Sequence, residues 1–494
     1  MNELGRVVVI GTGPAGAAAA HFLSRAGLEP LVLEAGSAQA NLRLTARVRG
    51  LTLAKLKPPL GERSDLKRTG DPGAMLFESL TPGGLSNHWA CAVPRFSSDD
   101  FEDAARGGDV YTWPLGYPEL VSWYDRVEPL LCIAGSDRSV PRLPAGQIAH
   151  ARALGSEWAP VARAAGERGR DVVAMPYAYG AETTLTRAAT PFNAFTRLIA
   201  PAARAGGLSV RFEAMALRLE WSQRERRVSA VIARNLRTGT EERIPCRAVV
   251  VAAGAVASAQ ILLASRDAEH PEGLGNQAGL VGRYLHDHPL AKLVVRLGQK
   301  LPITPASYIT RPTLARTEPL YASAFMQWSG VAALARSALA GHPGRTRQLG
   351  FSIFGTMIPT ADDRISLLDG GDAGNRAPLA FSLSYPRAAV ELLERSRDEL
   401  LAILDDAGLK PEVDVFKIEP PGNSVHYGGT CRMHASPEHG VVDPYCRVFG
   451  ARNLVVADSA VFTTGPEKNP VLTAMALAAR ASHHLAQDLR SGDA

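Results

Sequence analysis

Residues 7–36 read VVVIGTGPAGAAAAHFLSRAGLEPLVLEAG, and this stretch decides the fold. Residues 7–10 are a short β-branched run, the pattern of a strand buried on both faces in a parallel sheet. Gly11, Gly13 and Gly16 follow in G-x-G-x-x-G spacing. The first glycine permits a tight turn out of the strand. The second lets the backbone approach a pyrophosphate, and the third lets the next helix pack close to the sheet. A helix rich in small residues is expected over residues 15–23, ended by Gly27, with the free N–H groups of its first turn facing the phosphates. Residues 31–33 read as the second strand. Glu34 closes it with a carboxylate aimed at a ribose diol, a group that accepts from a 2′-hydroxyl and repels a 2′-phosphate. Strand, glycines, helix, strand and acid in this order specify dinucleotide binding. They do not separate FAD from NAD; that choice needs the far end of the chain.

The chain has 494 residues, too long for one core, so two domains are expected. With 46% hydrophobic and 21% charged residues its composition is that of an ordinary globular protein. A formal net charge of +5 is mild for this length and does not argue for nucleic acid. Five dispersed cysteines, an odd number, fit a reducing compartment better than a disulfide framework. No apolar run is long enough to span a bilayer. The N-terminus enters the nucleotide motif without a charged leader, so a cytoplasmic location is expected.

Beyond Glu34, residues 41–73 are rich in Arg and Lys (Arg43, Arg47, Arg49, Lys55, Lys57, Arg63, Lys67, Arg68) and broken by proline. A solvated loop is the expectation there, with a lid as the alternative. Residues 81–96, TPGGLSNHWACAVPRF, form a tight loop in which Gly84, Ser86, Asn87 and His88 cluster beside Trp89. An amphipathic helix follows before residue 131, with Leu120, Tyr124, Val127 and Leu131 on its buried face. Residues 248–265 repeat the strand–glycine–helix pattern and would extend the same parallel sheet. His286, Asp287 and His288 raise the question of a metal. Adjacent residues rarely converge on one ion, and none is expected. Cys431, His434, His439 and Cys446 depart from zinc spacing and are likewise read as metal-free.

Residues 293–385 alternate apolar and polar residues, with candidate strands at 293–297, 323–328, 350–359, 364–368 and 380–385. An amphipathic helix over 388–406 would cover the resulting antiparallel sheet. Gln327, Ser352 and Phe354 are candidates for its pocket face. The last eighty or so residues return to nucleotide-type signals: a buried strand ending in Asp458, and a helix opening at Pro470.

These segments together resemble the glucose–methanol–choline (GMC) flavoprotein oxidoreductases. The resemblance is carried by GTGPAG…LEAG, PGGLSNHW, VVVAAGAVASAQILLAS, HYGGTCRM, RVFGARNLVVADSAVFTT and NPVLTAMALAAR. Within the family, GGLSNHWACAVPRF and WPLGYPELVSWYDRVEPLLCIAG are most similar to pyranose oxidases and bacterial sugar or polyol dehydrogenases. The resemblance implies FAD as cofactor. It implies an α/β, Rossmann-like, discontinuous FAD-binding domain (1–150, 205–290 and 420–494) and an α+β substrate domain with an antiparallel sheet (151–204 and 291–419).

By position, His426 matches the family's catalytic histidine and Asn469 its second active-site residue. Gly11, Gly13, Gly16 and Glu34 match the ADP-binding residues. Ala216 falls where backbone meets the adenine, and Asp458 and Pro470 fall near the flavin. His88 stands in the S-x-H-W context in which pyranose oxidases can carry the flavin covalently. Asn87 replaces their usual Thr, and relatives with an HW pair also bind FAD without a bond, so both modes stay open. The implied activity is oxidation of an alcohol (sugar, aminosugar, polyol or secondary-metabolite alcohol) to a carbonyl. Hydride would pass to flavin N5, the hydroxyl proton to His426, and the electrons to oxygen or another acceptor. The alternative is an FAD-containing lyase of the same fold with no net redox change.

Overall fold

Val7–Ile10 is the inner strand of a six-stranded sheet in the computed structural model, which describes residues 6–38, 60–178, 192–302, 306–312, 321–328, 344–368 and 376–493. Across the sheet the order is Arg447–Val448, Ala451–Val456, Ala248–Val251, Val7–Ile10, Leu31–Leu33 and Ser209–Arg211. Every pairing is parallel except that of the short Arg447–Val448 edge. The inner strands are almost wholly apolar because both faces are covered. Helices Pro14–Arg25 and Val471–Ser491 pack together, and Tyr117–Leu131 packs on the latter. An antiparallel sheet of Ala214–Ser222, Arg227–Asn235 and Glu241–Pro245 packs against the nucleotide strands. One sheet is thus assembled from both ends and the middle of the chain.

The second six-stranded sheet is antiparallel throughout. Its order is Glu412–Ile418, Leu290–Pro302, Arg345–Gly355, Ser323–Trp328, Ser307–Ile309 and Val172–Ala174. Helix Arg387–Asp406 buries Leu393, Leu400, Ile403 and Leu404 against Leu293, Val295, Phe351, Ile353 and Phe325. Side chains alternate across a strand, so Lys292, Ser352 and Phe354 lie on the opposite face.

Three expectations are corrected. Gln327 shares the helix-side face with Phe325 and accepts the Ser307 backbone N–H at 3.1 Å, so it does not line the pocket. Arg364–Leu367 and Leu379–Ser382 do not join the large sheet. They form a separate three-stranded sheet in which Leu379–Ser382 pairs in parallel with Leu66–Arg68. Alternation identified them as strands but could not name their partner. Glu412–Ile418 and Val172–Ala174 were not anticipated; the first alternates charged with apolar residues as an edge strand, and the second is three residues long. Of the basic stretch, Arg43, Arg47, Arg49, Lys55 and Lys57 lie outside the described residues. Arg63 is not solvated: it is buried, ion-paired to Asp65 at 2.6 Å and bonded to Gln260 at 2.8 Å.

Candidate active site

A cavity of about 610 Å³ opens along the carboxyl ends of the parallel strands, where Ile10, Leu33 and Ala252 form part of its wall. That is the place and size expected of a cofactor site on such a sheet. Gly11 leaves the first strand at φ +102°, and a Cβ there would collide with the Ala252 carbonyl. A Cβ on Gly16 would strike the Gly11 carbonyl, so Gly16 serves the packing of helix on turn and is not itself on the wall. Gly13 is on the wall, and a Cβ there would meet no protein atom within 4 Å. Its emptiness faces the cavity.

Glu34 is buried, and burial raises its carboxyl pKa against the opposing pull of its hydrogen bonds. One carboxylate oxygen accepts the Gly36 N–H at 2.6 Å, and the other accepts the Thr12 hydroxyl. Thr12 Oγ1 in turn accepts the Gly83 N–H at 2.9 Å, which ties the first glycine turn to the 81–88 loop. In that loop Gly84, Ser86 and His88 line the cavity. His88 Nε2 lies 3.1 Å from Ser79 Oγ. Asn87 does not line it: the amide donates to Thr81 Oγ1, Pro82 O and Gly84 O and accepts from Asn193, closing the loop on itself.

Ala216 lines the cavity at a β-bulge. Asp458 also reaches it, with its carboxylate already accepting Gly254 N–H at 2.9 Å, Ser258 Oγ–H at 2.6 Å and Ala460 N–H at 2.8 Å. It pins the head of helix Ala255–Ala264 to the C-terminal strand. The starts of that helix, of Pro14–Arg25 and of Val471–Ser491 all border the one cavity. Three sets of free N–H groups and positive dipole ends suit an anionic, elongated dinucleotide. The residues present therefore fit FAD.

At the far end of the wall, His426 Nε2 lies 3.2 Å from Asn469 Nδ2. With the amide donating, Nε2 is the unprotonated ring nitrogen. Nδ1 is buried without a hydrogen-bond partner. The ring is enclosed by His288, centroids 4.9 Å apart, and Phe354 at 5.7 Å. Burial holds the imidazole well below its usual 6.5, and His288 and the Lys292 ammonium push the same way. The ring is thereby held in its neutral form.

Several contributors escaped the sequence reading. Asp287, raised as a metal question, is buried and binds the backbone on both sides of Val425. His288 walls the imidazole together with Phe354, which was already a pocket-face candidate from the sequence. Arg63, Gln260, Glu78 and Arg376 form a hydrogen-bonded and ion-paired group on the cavity wall. The parallel pairing of Leu66–Arg68 brings that group there, and nothing local signals it. His434 has both ring nitrogens engaged, by Asp109 O at 2.9 Å and Ser436 N–H at 3.0 Å. Among the described residues no cluster of three or more His, Cys, Asp or Glu is placed to hold a metal. Among them, no helix is long and apolar enough to cross a membrane.

Residues 88–290 and 402–478 match two family models, each described as GMC oxidoreductase. The chain belongs to the GMC oxidoreductase family. Residues 5–55 also match a model described as FAD binding domain. Among curated relatives of this GMC oxidoreductase is the 2-methyl-1,2-propanediol dehydrogenase of Mycolicibacterium austroafricanum. It is 26% identical over 97% of this chain and 95% of its own length. The paromamine 6'-oxidase of Streptomyces fradiae is 27% identical over 98% and 92%. The solved pyridoxine 4-oxidase from Mesorbium loti shares the fold, with a TM-score of 0.65 at 17% identity over 97% of this chain and 99% of that one. The protein is an FAD-dependent oxidoreductase acting on alcohols.

Proposed function

We propose that this enzyme oxidises a carbinol of a sugar or polyol, with His426 as proton acceptor and Asn469 as the group that orients the reacting oxygen. Bound FAD supplies the hydride acceptor, N5 of its ring. The observation that carries this reading is the His426–Asn469 pair on the wall of the cofactor cavity. A hydroxyl that enters beside the two and replaces their direct hydrogen bond donates to Nε2 and accepts from Nδ2. Its proton then has a destination, and its C–H bond has a fixed direction. Holding the reacting atoms about 3–3.5 Å apart in this way lowers the barrier by several kcal/mol. Phe354 and His288 keep water from the imidazole, so before substrate arrives its lone pair meets only the Asn469 amide. A sugar or polyol is preferred because several relatives are named for such substrates, a propanediol and paromamine among them.

The test is anaerobic mixing of the FAD-loaded protein with a panel of sugars and polyols, read as bleaching of the flavin. His426→Ala should keep its yellow cofactor and lose at least about a hundredfold in reduction rate. Unchanged reduction would remove His426 from this role. A substrate consumed while the flavin stays oxidised would mark a lyase. Repeating turnover with oxygen and with an artificial dye identifies the electron acceptor.

A further inference from the structure

Lys292 stands on the face of the antiparallel sheet that carries Phe354, the face turned to His426. Leu290 pairs with Phe354 and Lys292 with Ser352, so the lysine is one strand repeat, roughly 7 Å, from the ring that touches the imidazole. Its ammonium is half-buried and donates to Ser352 Oγ at 3.1 Å. Among the described residues no carboxylate lies within 4 Å of it. On its other side, Lys417 sits directly opposite in the edge strand. Like charges in that register repel. Lys417 is relieved by Glu419 at 2.7 Å, whose carboxylate also accepts from Asn423 at 2.9 Å. Glu419 ion-pairs Lys417 and acts on Lys292 only from a distance, so the Lys292 ammonium, on the sheet face turned to His426, is left without an ion-paired carboxylate among the described residues. Partly desolvated cations are ordinarily paired.

We propose that Lys292 and Ser352 form an anchoring subsite for a carboxylate carried a few carbons from the carbinol that His426 deprotonates. Among sugar and polyol substrates the enzyme then favours those that carry a carboxylate. The ammonium and the hydroxyl supply two donors to one carboxylate. The bound anion has a second effect. Lys292 is one of the charges that disfavour a proton on His426, and neutralising it makes the imidazole a better base when the correct substrate is present.

The inference rests on the proposed role of His426, and its test is chosen to fail separately from that role. The oxidised, FAD-loaded protein is mixed anaerobically at constant ionic strength with gluconate, glucitol and glucosamine, and binding is read from the rapid shift of the oxidised flavin spectrum that precedes any bleaching. Gluconate should bind at least tenfold more tightly than glucitol, and glucosamine most weakly. Lys292→Met should bring gluconate and glucitol within threefold of each other, and Lys292→Arg should keep the preference. Ser352→Ala, a smaller change, should weaken gluconate severalfold and narrow its advantage over glucitol. Equal binding of the three by the wild type, no binding of any, or a preference that survives Lys292→Met would overturn the subsite. A charge preference intact in a protein whose flavin no alcohol bleaches would overturn the catalytic reading instead.

Discussion

Asp287 accepts the backbone N–H of His426 on Oδ1 at 2.7 Å. Oδ2 of the same carboxylate accepts the N–H of Ser424 at 3.0 Å, and the Ser424 hydroxyl closes a third bond. Between the two clamped groups sits Val425 at φ +60°. A β-branched residue in the left-handed region costs on the order of 1–3 kcal/mol and persists only when its surroundings enforce it. The Asp287 carboxylate supplies that enforcement. It turns the chain so that residue 426 faces the cavity.

Asp287→Asn should therefore impair flavin reduction while leaving FAD bound. The amide retains one acceptor oxygen, so part of the clamp survives, and a loss of about ten- to a hundredfold is expected. Burial pushes the Asp287 carboxyl up to about 6. Below that value the wild-type clamp gains a proton and loosens, and the reduction rate should fall on the acid side. Stopped-flow reduction across pH 5–8 checks both points. The acid limb near 6 should be absent from Asp287→Asn; an unchanged limb would assign it to another group.

The glycine turn offers a paired test. Gly11→Ala places a methyl against the Ala252 carbonyl at a positive φ, so it should destabilise the fold itself by roughly 2 kcal/mol or more. Gly13→Ala meets no protein atom and has φ −61°. It should leave the apoprotein as stable as wild type and weaken FAD binding at least tenfold, because the methyl enters the cofactor's space. Thermal melts of the apoproteins and FAD titration separate the two effects.

Stability should decline as the pH falls from 7 to 5. Burial holds the imidazoles of His286 and His288 at about 3 and about 4, and that of His426 well below 6.5. Unfolding releases them to the ordinary value. Below pH 6.5 the unfolded chain thus binds more protons than the folded one, and each imidazole costs up to about 1.4 kcal/mol per pH unit until its folded value is reached. Asp287 acts with the opposite sign: between about 6 and 3.8 the folded protein holds its proton and the unfolded chain does not. His21 and His484 are lowered as well and add to the loss, while Glu34, Asp363, Asp443 and Asp458 are raised by burial and act with Asp287. The five imidazoles, whose unfolded value of 6.5 is met first on the way down, set the sign of the initial decline. Urea midpoints at pH 7, 6 and 5 should fall in that order, with a shallower decline in His288→Gln. A flat series would contradict neutral burial of these rings.

Lys468, immediately before Asn469, is fully buried. It bonds Asp100 at 2.6 Å and Glu467 at 3.1 Å, and Arg311 lies 3.7 and 3.6 Å from the same two acids. Lys468→Met would leave two buried carboxylates to one guanidinium. Breaking a buried pair of this kind costs about 3–5 kcal/mol, and the remaining arginine puts the expectation at the lower end. Urea unfolding of the holoenzyme measures it. A change under about 1 kcal/mol would mean that Arg311 alone balances the cluster.

Much of the cofactor wall was legible because its signals are local. The glycine spacing, the small-residue helix and Glu34 all fall within one strand–helix–strand unit, and short-range sterics dictate each of them. Gly16 packs helix on turn, as its place in the glycine spacing predicts. Asn87 shows the limit: it belongs to the right motif, yet it closes its own loop and does not line the cavity. Gln327 shows another. Its strand was read correctly, but in a run of mixed residues either face could be the covered one, and only helix Arg387–Asp406 decides.

By itself the sequence determined the nucleotide-binding unit, the FAD chemistry implied by its motifs, and the candidacy of His426 and Asn469, since each is written in a few neighbouring residues. The tertiary structure alone decided what surrounds the imidazole. Asp287 reaches His426 across 139 positions, and Phe354 and Lys292 arrive on strands whose register is set by cross-strand packing. Such contacts depend on which faces of distant elements are buried together, a property of the assembled core that no local pattern carries.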